Sequence, residues 1–143
     1  MKRSIVLTLL ALSVGFFGGC VDKEKGEEQF KEAETILKDK GNQKEAFKLL
    51  EKSCGNDYAK SCGILSLAYV EGDKKLNVEA DKKKSIALAL KANTLSADEA
   101  CEKDKEGAEC KRRTKFIEDF EKSCKGVESK DCELAIIFGA ILY

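Results

Sequence analysis

Apolar side chains recur along most of this chain at intervals of three and four residues, the spacing that gathers them on one face of an α-helix. Phe30, Ala33 and Leu37 form a first stripe, Ala46, Leu49, Leu50 and Cys54 a second, and Tyr58, Cys62, Leu65 and Tyr69 a third. Ile86, Leu90, Ala97 and Cys101 follow, then Cys110, Ile117, Phe120 and Cys124, then Cys132, Ile136, Gly139 and Tyr143. The chain has no proline, and Gly26, Gly41, Gly55, Gly72, Gly107 and Gly126 fall where helix ends are expected. Asn42-x-x-Glu45 has the form of a capping box, in which the first side chain accepts from a free amide and the Glu reaches back. Ser96-x-x-Glu99 has the same form and predicts a break near residues 93–96, dividing residues 81–104 into two helices. The mixed acidic and Lys run at residues 20–28 predicts a flexible tether before a helical domain over residues 29–143. Every periodic segment is helical in spacing, so the predicted fold class is all-α.

The cysteines punctuate these helices. Six of the seven fall into close pairs, Cys54 with Cys62, Cys101 with Cys110 and Cys124 with Cys132, spaced C-x7-C, C-x8-C and C-x7-C. Many connectivities are combinatorially open, and local spacing favours neighbours. Each pair brackets a short polar stretch that reads as the turn between two antiparallel helices. A disulfide there would stabilise its hairpin by about 2–3 kcal/mol through loop entropy. The expected hairpins span about 42–72, 81–118 and 112–143. A thiolate metal cluster needs reducing conditions and usually tighter spacing, so no metal is expected.

The seventh cysteine sits in a different context. Met1-Lys2-Arg3 is a basic start, residues 5–17 are an apolar run broken only by Thr8, Ser13 and Gly15, and Gly18-Gly19-Cys20 follows. That order is the order of a secretory signal, and its apolar run is too short to span a bilayer permanently. The small pair before Cys20 resembles the lipobox of bacterial lipoproteins, with Phe17 where that family usually has Leu. The resemblance implies that residues 1–19 are removed and that Cys20 is acylated and becomes the first residue. Two or three acyl chains anchor firmly, at about 0.8 kcal/mol per buried methylene. The expected location is the bacterial cell envelope, on the inner or outer membrane, facing the periplasm or the surface.

An internal repeat appears at an offset of 70: Glu51-Lys52-Ser53-Cys54 recurs as Glu121-Lys122-Ser123-Cys124. Lys60 aligns with Lys130, Cys62 with Cys132, Leu50 with Phe120 and Ile64 with Leu134. Twice 35 is 70, which predicts a third unit between the two, centred on Cys101 and Cys110. Ala46, Leu50, Cys54, Asn56, Ala59, Cys62, Leu65, Tyr69 and Gly72 resemble the Sel-one-like repeat, a relative of the tetratricopeptide repeat. The cysteine pair at each turn is similar to the Helicobacter cysteine-rich protein branch. Ser66 stands where the family favours Gly, and Gly139 and Leu142 occupy the places of Tyr69 and Gly72. The resemblance implies a short α-solenoid of disulfide-clipped antiparallel helix hairpins whose concave face binds proteins or peptides. Some members are credited with binding or hydrolysing penicillin-type compounds.

Charge and composition narrow the chemistry. Lys and Arg number 26 against 26 Asp and Glu, a balance that argues against nucleic acid as a partner. The chain has no His, which removes Ser-His-Asp and Cys-His nucleophile systems and the commonest general base. No Ser is followed by Lys at the third position and no K-T-G occurs, so the serine β-lactamase pattern is absent. No cofactor is expected. Two features are candidates for partner binding. Arg112 and Arg113 are the Arg residues left after the signal, and guanidinium groups suit bidentate contacts to carboxylate or phosphate. Residues 134–143 carry no charge, and Ile137, Phe138 and Ile141 could dock a partner from a terminal helix. The expected function is a non-catalytic envelope lipoprotein that binds a protein or peptide as adaptor or assembly factor. The alternative is a cell-wall-related amide hydrolase or a penicillin-binding, β-lactamase-like activity.

Overall fold

The computed structural model describes residues 21–125 and 130–141 and folds them into six helices: α1 Lys23–Lys38, α2 Gln43–Gly55, α3 Ala59–Glu71, α4 Lys82–Lys103, α5 Ala108–Ser123 and α6 Lys130–Ile141. Among the described residues there is no strand, only a single antiparallel bridge between Asp73 and Val78 in the loop after α3. Three side chains set helix starts by accepting from free first-turn amides. Asp22 accepts from the Lys25 amide at 3.0 Å, Asn42 from the Lys44 amide at 3.1 Å, and Asp81 from the Lys84 amide at 2.9 Å. Gly72 ends α3 at φ +77, and a Cβ there would lie 2.8 Å from the Val78 carbonyl oxygen, so both conformation and space require glycine.

The tether expected over residues 20–28 is instead the first two turns of α1 from Lys23 onward. Asp22 caps it, and Gly26, expected at a helix end, lies buried inside it. A Cβ on Gly26 would be 3.1 Å from the Cβ atoms of both Asn56 and Tyr58, so its absence lets α1 lie close to the α2–α3 turn. At that contact the Ser53 hydroxyl donates to the Gly26 carbonyl and the Ser61 hydroxyl donates to Ser53, each at 2.6 Å. Lys23 reaches Glu99 on α4 at 2.6 Å. A mixed-charge segment is ordered here by tertiary contacts that its composition does not reveal.

The first buried cluster joins α1, α2, α3 and α4 through Phe30, Phe47, Leu50, Leu65, Tyr69 and Ala92 among others. Leu37, expected on the buried stripe of α1, is largely exposed. The break expected near residues 93–96 is absent, and α4 is continuous. Asn93 donates to the Ala89 carbonyl at 2.8 Å and the Ser96 hydroxyl accepts from Arg113, so neither polar group caps a helix start. The buried face of α4 carries Ser85, Ala89, Ala92, Asn93, Ser96 and Ala97. Ile86, Leu90 and Cys101, three of the four stripe positions expected there, are only half-buried. Small side chains let α4 pack closely on α3, where the Ser85 hydroxyl donates to the Ser66 carbonyl at 2.7 Å.

All three cysteine pairs join neighbours in sequence. Cys54–Cys62 links α2 to α3, Cys101–Cys110 links α4 to α5, and Cys124–Cys132 links α5 to α6, with Cα separations of 4.8, 4.7 and 4.7 Å. The two later clips share α5. The unit between the two repeat copies is the α4–α5 hairpin, clipped at Cys101–Cys110 and sharing α5 with the last hairpin, so it adds one helix of its own, α4. An odd number of reversals separates α3 from α6, and the consequence is geometric. The amide of Asp81, just before α4, donates to the Tyr69 carbonyl near the end of α3, so α3 and α4 run oppositely. Lys82 meets Glu133 at 2.8 Å, and Asn93 meets Gly139 one and a half turns or more further along, so α4 and α6 run the same way. The equivalent helices α3 and α6 are thus antiparallel, and they pack side by side.

Candidate functional site

The buried side of α3 carries Cys62, Leu65, Ser66 and Tyr69, which leaves Lys60, Ile64, Leu67 and Glu71 facing solvent along the opposite side. On α6, Cys132, Ile136 and Gly139 are buried and Lys130, Leu134 and Ile137 are exposed. These exposed positions correspond through the offset of 70: Ile64 with Leu134, and Leu67 with Ile137. Their exposures are 42% and 51%, then 41% and 42%. Single exposed apolar residues are ordinary on any protein. Here four large ones recur at equivalent places on two helices that pack together, an arrangement that suits a shared apolar surface, called the patch below. The patch extends toward α1 and α2, where Ile64 helps line a shallow cavity of about 190 Å³ with Leu37, Phe47, Leu50, Ala68 and Leu76. Its chemistry is desolvation and shape, with charge at the stripe ends and Asp73 at the cavity rim.

Of the residues the sequence nominated for partner binding, Ile137 lies in this patch. The side chains of Phe138 and Ile141 lie outside the described set, as does Cys20. Ile64, Leu67 and Leu134 were not nominated. The signal for them was present, since they are apolar yet fall off the buried stripes of their own helices.

Arg112 and Arg113 are occupied within the fold. Both hydrogen-bond Glu109 one turn earlier, at 2.8 and 2.6 Å, and Arg113 also donates to the Ser96 hydroxyl on α4. Hydrogen bonds from the two guanidinium groups hold the Glu109 carboxyl below the usual carboxylate range. Arg113 is 20% exposed and Arg112 61% exposed, so the first is a tie between α5 and α4 and the second alone faces solvent.

A second concavity lies at the start of α4. It encloses about 710 Å³ and is bordered by Lys44 and Lys48 on α2, Lys83 and Lys84 on α4, and Tyr69 on α3. The Lys84 ammonium donates to the Tyr69 hydroxyl at 2.6 Å and lies 4.0 Å from the ring centroid. Tyr69 in turn donates to Glu51 at 3.4 Å, so the cluster ties α2, α3 and α4 together. Three consecutive Lys residues open α4 at the positive end of its dipole, an arrangement that a helix alone disfavours. Glu51, Glu79 and Asp81 border the same cleft and leave its charge mixed.

Among the described residues, no helix is long and apolar enough to cross a membrane. No protein-family model, curated protein or solved structure matches the chain.

Proposed function

We propose that this chain is a non-catalytic lipoprotein of the bacterial cell envelope that holds a protein or peptide partner against α3 and α6, as an adaptor or assembly factor. The observation that carries the reading is the pairing of Ile64 and Leu67 on α3 with their repeat equivalents Leu134 and Ile137 on α6, all exposed on neighbouring helices. A surface patch of this kind suits a partner that buries it. The repeat is read as Sel-one-like, with the hairpins α2–α3 and α5–α6 as two clipped copies around α4, forming a short and modified solenoid. The signal at residues 1–19 and the acylated Cys20 supply the anchor. With α1 beginning at Lys23, the helical domain would stand close to its bilayer.

The test uses the full chain made in a bacterial host, with a photo-cross-linking amino acid at Ile137 or, as control, at Glu118 on the exposed side of α5. A discrete adduct is expected from Ile137 and none from Glu118, and Leu134→Glu should abolish it. Absence of any adduct from Ile137 would overturn the reading. The anchor is tested separately: Cys20→Ala should release the protein from membranes or stall its processing, and a fully cleaved, membrane-retained Cys20→Ala product would refute it.

A further inference from the structure

The exposed face of α3 matches itself when turned end for end. Lys60, Ile64, Leu67 and Glu71 follow at steps of four, three and four residues. Reversing the helix therefore exchanges Ile64 with Leu67 and Lys60 with Glu71. Alternating steps of three and four are the spacing of a helix-pairing seam. Two α3 helices laid antiparallel on these faces set Ile64 against the partner's Leu67 and Lys60 against the partner's Glu71. Each of these contacts occurs twice about a two-fold axis, as an isologous interface requires. Within the chain neither Lys60 nor Glu71 closes a salt bridge with a described residue, so both charges are available at the ends of the apolar pair. On α6 the repeat equivalent of Glu71 is Ile141, so that helix lacks the reciprocal charge.

We propose that the partner of α3 is a second copy of this chain, which pairs with it antiparallel through Lys60, Ile64, Leu67 and Glu71. The proposal rests on the reading of this patch as a binding surface and narrows it, a second copy taking the α3 side while α6 keeps Leu134 and Ile137 for a different protein. Opposite charges at the two ends fix the antiparallel register and oppose the parallel one, in which like charges would meet. The seam is only two apolar layers long, so pairing is weak in dilute solution and is favoured by confinement on a membrane, which raises the effective concentration. Because α1 and α3 run in the same direction, the two-fold axis directs the α1 N-termini to opposite ends. Both reach one bilayer when the paired helices lie along its surface.

The experiment again uses the full chain in a bacterial host, with the photo-cross-linker at Leu67. The expected product has twice the mass of the chain, and its mapped peptides join residues 60–71 of the two copies. Lys60→Glu or Glu71→Lys alone should lower its yield about tenfold by placing like charges together at both ends. The double variant Lys60→Glu with Glu71→Lys should restore it. All four side chains are exposed, and unchanged thermal melts will establish that each variant folds. Cross-linking of Leu67 only to another protein overturns the proposal, as does a self-product indifferent to the reversals or a double variant without rescue. An adduct at Ile137 with none at Leu67 removes the pairing and leaves the proposed function standing; silence at both positions removes both.

Discussion

The hairpins α2–α3 and α5–α6 share a motif, Glu-Lys-Ser-Cys followed eight residues later by the second cysteine, but stand in different surroundings. The first is enclosed by α1 and α4 and buries Phe47, Leu50, Leu65 and Tyr69 against Phe30 and Ala33. The second leans on α4 and one side of α3, and its buried cluster is Ala89, Phe120, Cys132 and Ile136. Along α5 only Cys110 and Phe120 are buried, whereas α2 buries Ala46, Phe47, Leu50, Ser53 and Cys54. A hairpin with that much apolar surface around it is held by its core, and its clip adds to an arrangement already fixed. A hairpin with so little depends on the covalent link. The same local sequence thus gives a supporting half and a clip-held half.

The largest effect should come from opening the supporting half. Leu50→Ala removes a side chain 4% exposed at the centre of the first cluster and is expected to cost about 2–5 kcal/mol, read as a large fall in the circular-dichroism melting temperature. A fall no greater than that of an exposed Leu37→Ala control would break the comparison. A smaller and more local effect is expected in the other half. Replacing Cys124 and Cys132 by Ala should cost about 2–3 kcal/mol in loop entropy and expose α6, so that trypsin cleaves first at Lys122, Lys125 and Lys130. Replacing Cys54 and Cys62 by Ala opens a loop of the same length, yet α2 and α3 should remain protected from the protease. Early cleavage at Lys52 and Lys60 in that variant would contradict the contrast.

The smallest effect is electrostatic. The hydrogen bond from Lys82 holds the Glu133 carboxyl below its ordinary value of 4.5, and Arg112 and Arg113 do the same for Glu109. A carboxyl lowered on folding contributes stability above the unfolded value, and that contribution is lost as pH falls through the folded value. Acid titration below about pH 4.5 should therefore slightly loosen the attachment of α6 to α4 at Lys82–Glu133 and the Glu109 pairs within α5, with little change between pH 5 and 8. Lys82→Met should remove the Glu133 part of this dependence, and melts recorded across pH 3–6 will show whether it does.

The sequence made the supporting half most legible. The stripe of α3, the Asn42 cap and the local cysteine pairs could be read because each is a short-range pattern of side-chain types. The face of α4 was not legible, because its contact with α3 is made by Ser, Ala and Asn, residues that carry no apolar period. The start of α1 was hidden for a related reason: Gly26 and Ser53 fit each other across 27 residues, and neither marks a helix alone. The repeat itself was visible at its offset of 70, but its polarity was not. Whether one helix or two lay between α3 and α5 turned on whether residues 93–96 broke, and a capping-box pattern inside a continuous helix pointed the wrong way. The exposed patch was half legible: Ile137 stood out in an uncharged run, whereas Ile64 and Leu67 gained meaning only when α3 and α6 proved to be neighbours.

The contrast between the halves is tested most directly by native-state hydrogen exchange followed by mass spectrometry, on the oxidised protein and on the same protein after gentle reduction. With the core holding one half and the clips the other, reduction should accelerate exchange of α5 and α6 by a large factor while the amides of α2 and α3 stay protected. Equal loss of protection across all the helices, or loss confined to α2 and α3, would contradict the account.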